Sequence, residues 1–152
     1  MDDTQQKDFE QVNTTILEDW GLMMIEPAEL GSESFNPYEA VYVSSIQFSG
    51  PNRGVYRVCC QADFMNALAQ NLLGELDDVS FSDQEDALKE MANVVCGNLL
   101  TALYGSDKTF DLSQPLVEER KVSDLEQMIG EGRAVFLADD CPVLVSLEAD
   151  QG

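Results

Sequence analysis

The sequence predicts an α+β domain: an antiparallel-rich sheet with two packed helices, one of them long, and a further helix at the N-terminus. Three observations predict it. Two β-rich runs, "AVYVSSIQFSG" and "GVYRVCCQ", flank "GPNRG", whose Gly, Pro and Asn suit a turn, so together they read as a β-hairpin. Two segments of helical periodicity follow the hairpin directly. Three more β-rich segments close the chain, and hairpin, helices and then strands is an α+β order. With 152 residues and 44% hydrophobic content the chain can bury one core, so residues 1–152 read as a single domain.

Each element has its own signal. Phe9, Val12, Ile16 and Trp20 recur at helical spacing, predicting a covering helix over residues 3–20 that stops near Gly21. Pro27, Gly31, Asn36 and Pro37 mark 26–38 as a loop or irregular edge. After the hairpin, "ADFMNALAQNLLG" places Phe64, Leu68 and Leu72 on one stripe and ends in a glycine stop, a helix over 62–74. "SFSDQEDALKEMANVVCGNLLTALYG" then gives the long helix, from a serine or aspartate cap near Ser82 to Gly105. "KTFDLSQPLVEE", "GRAVFLADD" and "PVLVSLEA" read as three strands, with "SDLEQMIGEG" between the first two as a helical turn or loop.

Composition removes several function classes. Twenty-nine acidic against eight basic residues give a formal charge of -21, which repels nucleic acid and anionic lipid. No apolar run reaches the roughly 18 residues of a membrane span. The N-terminal "MDDTQQKDFE" lacks a basic region followed by an apolar stretch, so no secretory signal is expected and the reading is soluble and cytoplasmic. Cys59, Cys60, Cys96 and Cys141 show no CxxC spacing and there is no histidine, which excludes serine-triad chemistry and the usual zinc sets. Cys59 and Cys60, adjacent on a strand, should face opposite sides and act as small hydrophobes.

The long helix carries residues that a helix does not need. With Asp86 set at 0° and about 100° per residue, Glu90 falls near 40°, Asn93 near -20° and Gly97 near 20°. Leu88, Met91, Val95, Leu99, Ala102 and Leu103 fall between roughly 140° and 260°, on the core side. Asparagine and glycine each lower helix propensity by roughly 0.6 to 1 kcal/mol relative to alanine, so an outward stripe containing both invites an explanation. Solvated polar faces are routine, however, and with 14 Glu and 7 Asn in the chain a chance Glu-x-x-Asn is expected about 0.6 times. A second such spacing indeed occurs, Glu10 to Asn13, with Gln6 four residues before its glutamate.

The longer string is more specific: Asp86, Glu90 and Asn93 as D-xxx-E-xx-N, then Gly97-Asn98, then Pro115 some twenty residues on. It resembles the CheC, CheX and FliY family of chemotaxis phosphatases, and "SSIQFSGPNRGVYRVCC", "FMNALAQNLLGE" and "SQPLV" resemble CheX-type sequences in particular. The resemblance covers about residues 8 to 145. One matching motif stands where CheC-type members carry two, so the chain is CheX-like. The resemblance implies a cytoplasmic phosphatase acting on the aspartyl phosphate of a CheY-like response regulator, and commonly a homodimer joined edge to edge through its sheets. It implies Glu90 and Asn93 as catalytic residues, with Asp86, Gly97 and Pro115 in support; Asn98, about 100° off the stripe, reads as structural. No cofactor of its own is expected, Mg2+ being held by the partner. A non-catalytic regulator-binding or adaptor module using the same helix face remains an alternative, as do a flagellar switch component and a plain domain with a solvated helix face.

Overall fold

The computed structural model describes residues 1–28, 34–130 and 132–150. The elements run α1 (Asp3–Asp19), β1 (Ile25–Pro27), β2 (Val41–Ser49), β3 (Arg53–Cys60), α2 (Ala62–Leu73), α3 (Phe81–Tyr104), β4 (Asp111–Leu112), β5 (Leu116–Arg120), α4 (Leu125–Met128), β6 (Arg133–Ala138) and β7 (Cys141–Asp150). A single 3-10 turn over Val122–Asp124 leads into α4. The class is α+β: these strands form one antiparallel sheet in the order β1-β6-β7-β3-β2, and β2 then carries β4 and β5 one after the other along its far side.

The alternation of side chains along β2 and β3 divides the sheet into two faces. Ile46, Phe48, Tyr56, Val58 and Cys60 belong to the large core under the helices, joined from α1 by Phe9 and Leu17, from α2 by Phe64, Met65 and Leu68, and from α3 by Leu88, Met91, Val95 and Leu99. Val41, Val43, Cys59 and Leu144 face the other way, into a smaller cluster closed by Phe35, Leu125 and Ile129. Cys59 and Cys60 thus point to opposite faces, as adjacent strand residues must. The cysteines are free thiols, Cys141 half-buried and the other three buried.

The first helix covers the sheet as expected, with Phe9 and Leu17 fully buried in the core. Other elements differ in detail. The segment read as a loop or irregular edge over 26–38 opens on an edge strand, β1, which pairs with β6 from Ile25↔Ala138 to Pro27↔Phe136; residues 29–33 lie outside the described residues. Pro27 is tolerated because a border strand can spare an N–H. The single strand expected over "KTFDLSQPLVEE" is two short ones, β4 and β5, interrupted by Ser113, Gln114 and Pro115. Proline has no N–H for the ladder, and Ser113 instead bonds β2 through both its N–H and its hydroxyl, Ser113 N to Gln47 O at 2.8 Å and Gln47 N to Ser113 Oγ at 2.9 Å.

Candidate functional site

The candidate site is the outer face of α3, and the chain fixes that helix on its sheet at both ends. Its cap is a serine as expected, Ser80, whose side chain accepts a hydrogen bond from Asp83 N at 3.2 Å. The next residue, Phe81, packs its ring on Tyr42 of β2 with centroids 5.3 Å apart. At the other end Tyr104 packs on Phe110 at 5.5 Å, and Phe110 meets Phe48, also of β2, at 6.0 Å. Between these anchors Leu88, Met91, Val95 and Leu99 are fully buried. Each contributes roughly 1.5–3 kcal/mol of apolar burial, enough to hold the helix from rotating about its axis. The aromatic pair Phe81–Tyr42 was not singled out from sequence; an aromatic directly after a capping serine is the signal that could have found it.

The buried stripe is wider than its angles suggested and drifts along the helix. Ala87, Ala92, Cys96 and Leu100 are buried as well, whereas Ala102, placed on the core side from sequence, is exposed. By the last turn the covered side has moved to Leu99, Leu100 and the half-buried Leu103 and Tyr104, toward Phe110, and Ala102 is left outside.

The predicted outward stripe is where the angles put it. Asp86, Glu90 and Asn93 are exposed and Gly97 is half-exposed, all on the side opposite the core. Among the described residues, the Asp86 and Glu90 carboxylates and the Asn93 carboxamide make no hydrogen bond or ion pair within the chain. All three are therefore open to an external partner. A Cβ built on Gly97 would meet nothing within 4 Å, so no neighbour inside the chain requires glycine there. Asn98 turns back onto its own helix, its Nδ2 donating to Val94 O at 2.8 Å, and Thr101 Oγ1 donates to Gly97 O at 3.3 Å. Pro115 lies half-buried in the link between β4 and β5, and β5 packs beside α3.

The second Glu-x-x-Asn has the opposite fate. Asn13 of α1 is fully buried, receives a hydrogen bond from the Tyr56 hydroxyl and donates its Nδ2 to Phe9 O at 2.8 Å. Spacing cannot separate the two asparagines; burial does. Among the described residues, concavities lie between α1 and the β1–β6 border, at the β2–β3 turn end, beside Tyr38 and Arg120, and at the C-terminal end of α3 near Leu103 and Tyr104; Asp86, Glu90 and Asn93 line none of these. An exposed, polar helix face suits insertion into a cleft of another protein better than capture of a small molecule.

The fold is that of solved CheX and CheC-like structures. The CheX of Desulfovibrio desulfuricans superposes with a TM-score of 0.71 over 97% of this chain and 99% of that one at 16% identity. The CheX of Vibrio vulnificus gives 0.70 over 94% and 97% at 17% identity. A Borrelia burgdorferi CheX, solved in complex with CheY, BeF3 and Mg2+, gives 0.64 over 95% and 97% at 16% identity. No curated protein sequence matches the chain. The family profile described as chemotaxis phosphatase CheX matches residues 42–136, which include β2 from Tyr42 on, β3, α2, the whole of α3 and Pro115, and the chain therefore belongs to the CheX family of chemotaxis phosphatases.

Proposed function

We propose that this chain hydrolyses the aspartyl phosphate of a CheY-like response regulator, with Asn93 orienting the attacking water and Glu90 holding the helix in register. The observation that carries the reading is an exposed carboxylate and carboxamide one turn apart on a helix locked to its sheet, both without a bonding partner among the described residues. Membership of the CheX family and the Borrelia CheX found with CheY support it.

The chemistry asks little of this chain. An aspartyl phosphate is an activated acyl phosphate, and the Mg2+ that offsets its charge is expected on the regulator. What is missing is an ordered water. The Asn93 carboxamide, with one acceptor and one donor group on a short arm, can hold that water in line with the scissile bond. The water oxygen then bonds to phosphorus as the Asp O–P bond breaks, leaving the regulator's carboxylate and inorganic phosphate. Glu90, exposed one turn before Asn93, would pair with a lysine of the regulator by a charge-assisted hydrogen bond. Asp86 extends the polar stripe toward the helix N-terminus, Gly97 clears the approach beyond Asn93, and Pro115 shapes the link beside α3.

The test is the decay of phosphorylated CheY with wild type and with Asn93→Ala. Loss of acceleration with binding retained supports water positioning; equal decay rates would mean a docking or adaptor module instead. We assign the chain to the cytoplasm, where response regulators act. Among the described residues no helix is long and apolar enough to cross a membrane. The charge of -21 argues against a nucleic-acid partner. A homodimer belongs to the same reading: β5 is a border strand exposed at Leu116, Glu118, Glu119 and Arg120, and light scattering of wild type against Val117→Pro tests whether sheets join there.

A further inference from the structure

We infer that Lys89 is a positioning residue for the phosphorylated partner, its ammonium taking an anionic oxygen of that partner as α3 docks; this rests on the phosphatase reading above. On the same angular scale Lys89 falls near -60°, about 40° from Asn93 and one turn before it along the helix. It is half-exposed, immediately beside the polar stripe.

Lys89 is the sole cation of α3, which also carries Asp83, Glu85, Asp86 and Glu90. Glu85 and Asp86 stand four and three residues before it, the spacings at which helical ion pairs form. No such pair forms: among the described residues the ion pairs use Arg57, Arg120 and Arg133, and Lys89 has no carboxylate within 4 Å and no hydrogen bond.

The partner's chemistry supplies what Lys89 lacks. A phosphoryl group is dianionic or nearly so, and an Mg2+ site is built from carboxylates, so the surface around an aspartyl phosphate is rich in anionic oxygen. A chain of charge -21 meets repulsion from that surface, which Asp86 adds to while Glu90 is taken up by the regulator's lysine, and one cation beside Asn93 offsets it where the surfaces touch.

Steady-state dephosphorylation of CheY, phosphorylated with acetyl phosphate in Mg2+, tests this with Lys89→Gln, Lys89→Arg and Lys89→Glu. At low ionic strength Lys89→Gln should raise KM roughly three- to five-fold, the size of a favourable exposed ion pair, with kcat kept. Lys89→Glu should raise it further, Lys89→Arg should restore it, and high salt should shrink the differences. Unchanged melting curves separate this from a structural effect. Binding to CheY with and without beryllofluoride identifies the oxygen: weakening on both forms means partner carboxylates, weakening on the loaded form alone means the phosphoryl group. Wild-type KM and wild-type binding for both Lys89→Gln and Lys89→Glu would overturn the assignment, while Asn93→Ala still abolishing hydrolysis would leave the phosphatase reading standing. Failure of that reading shows instead as full activity in Asn93→Ala, and the binding arm reads Lys89 even then.

Discussion

Tyr56 donates its buried hydroxyl to the carboxamide oxygen of Asn13, and that contact joins α1 to the centre of the sheet. Asn13→Ala strands the Tyr56 hydroxyl and leaves a small void, so it should cost roughly 2–3 kcal/mol of unfolding free energy. Urea denaturation checks the size, and a cost below about 0.5 kcal/mol would show that the hydroxyl finds water instead. Turnover of folded Asn13→Ala should match wild type, because Asn13 has no access to a partner.

Glu90 and Asn93 should fail in different ways. A residue that only holds the regulator acts on ground state and transition state alike, so Glu90→Gln should raise KM by about ten-fold and leave kcat within a few-fold. Asn93→Asp keeps the shape of the side chain but replaces its N–H donors with negative charge facing the phosphoryl group. Its kcat should fall about as far as that of Asn93→Ala, by roughly a hundred-fold or more. If the two substitutions lowered kcat equally with no change in KM, the division of roles between them would be wrong.

The parts legible in the sequence were those written as long periodic patterns. The helices over 62–74 and up to Gly105, and the hairpin around "GPNRG", follow from spacing and glycine stops alone. The outward stripe also follows, since four positions within one narrow sector tolerate small angular errors. Ala102 lies sixteen residues from the reference position, where accumulated drift and a change of packing neighbour matter more than the sum of angles. β1 could not be read because three residues ending in proline carry no alternation. Asn13 is the more instructive case: Glu10 to Asn13 has the spacing of Glu90 to Asn93, and its burial depends on Tyr56, forty-three residues away, which no local pattern encodes.

Gly97 separates folding from docking. Nothing within 4 Å obstructs a Cβ there, and its backbone is helical, so Gly97→Ala should stabilise the protein by up to about 1 kcal/mol through helix propensity. If the glycine is kept so that a partner's backbone can approach beyond Asn93, the same substitution should weaken binding to phosphorylated CheY by several-fold. A variant that melts higher and still turns over at the wild-type rate would remove Gly97 from the site.

The thiols predict how the fold responds to alkali. Burial pushes Cys59 and Cys96 up to about 12 from an ordinary value near 9, with Arg57 pulling Cys59 slightly the other way. Cys60 is raised well above that ordinary value by burial and by its neighbours Cys59, Asp63 and Cys141, and Tyr56 is raised well above 10, chiefly by burial. In the unfolded chain these groups lose their protons near their ordinary values. Above pH 9 the folded state therefore binds more protons than the unfolded state, and stability falls as pH rises; below that point these groups leave it flat. Cys59 and Cys96 each remove about 1.4 kcal/mol per pH unit between their two values, and Cys60, Cys141 and Tyr56 act in the same direction. Urea midpoints at pH 8, 9, 10 and 11 should drop steeply beyond 9, and Cys59→Ala should make the fall shallower. A midpoint unchanged to pH 11 would mean that the thiols ionise inside the folded protein, and that its core is more open to water than their burial indicates.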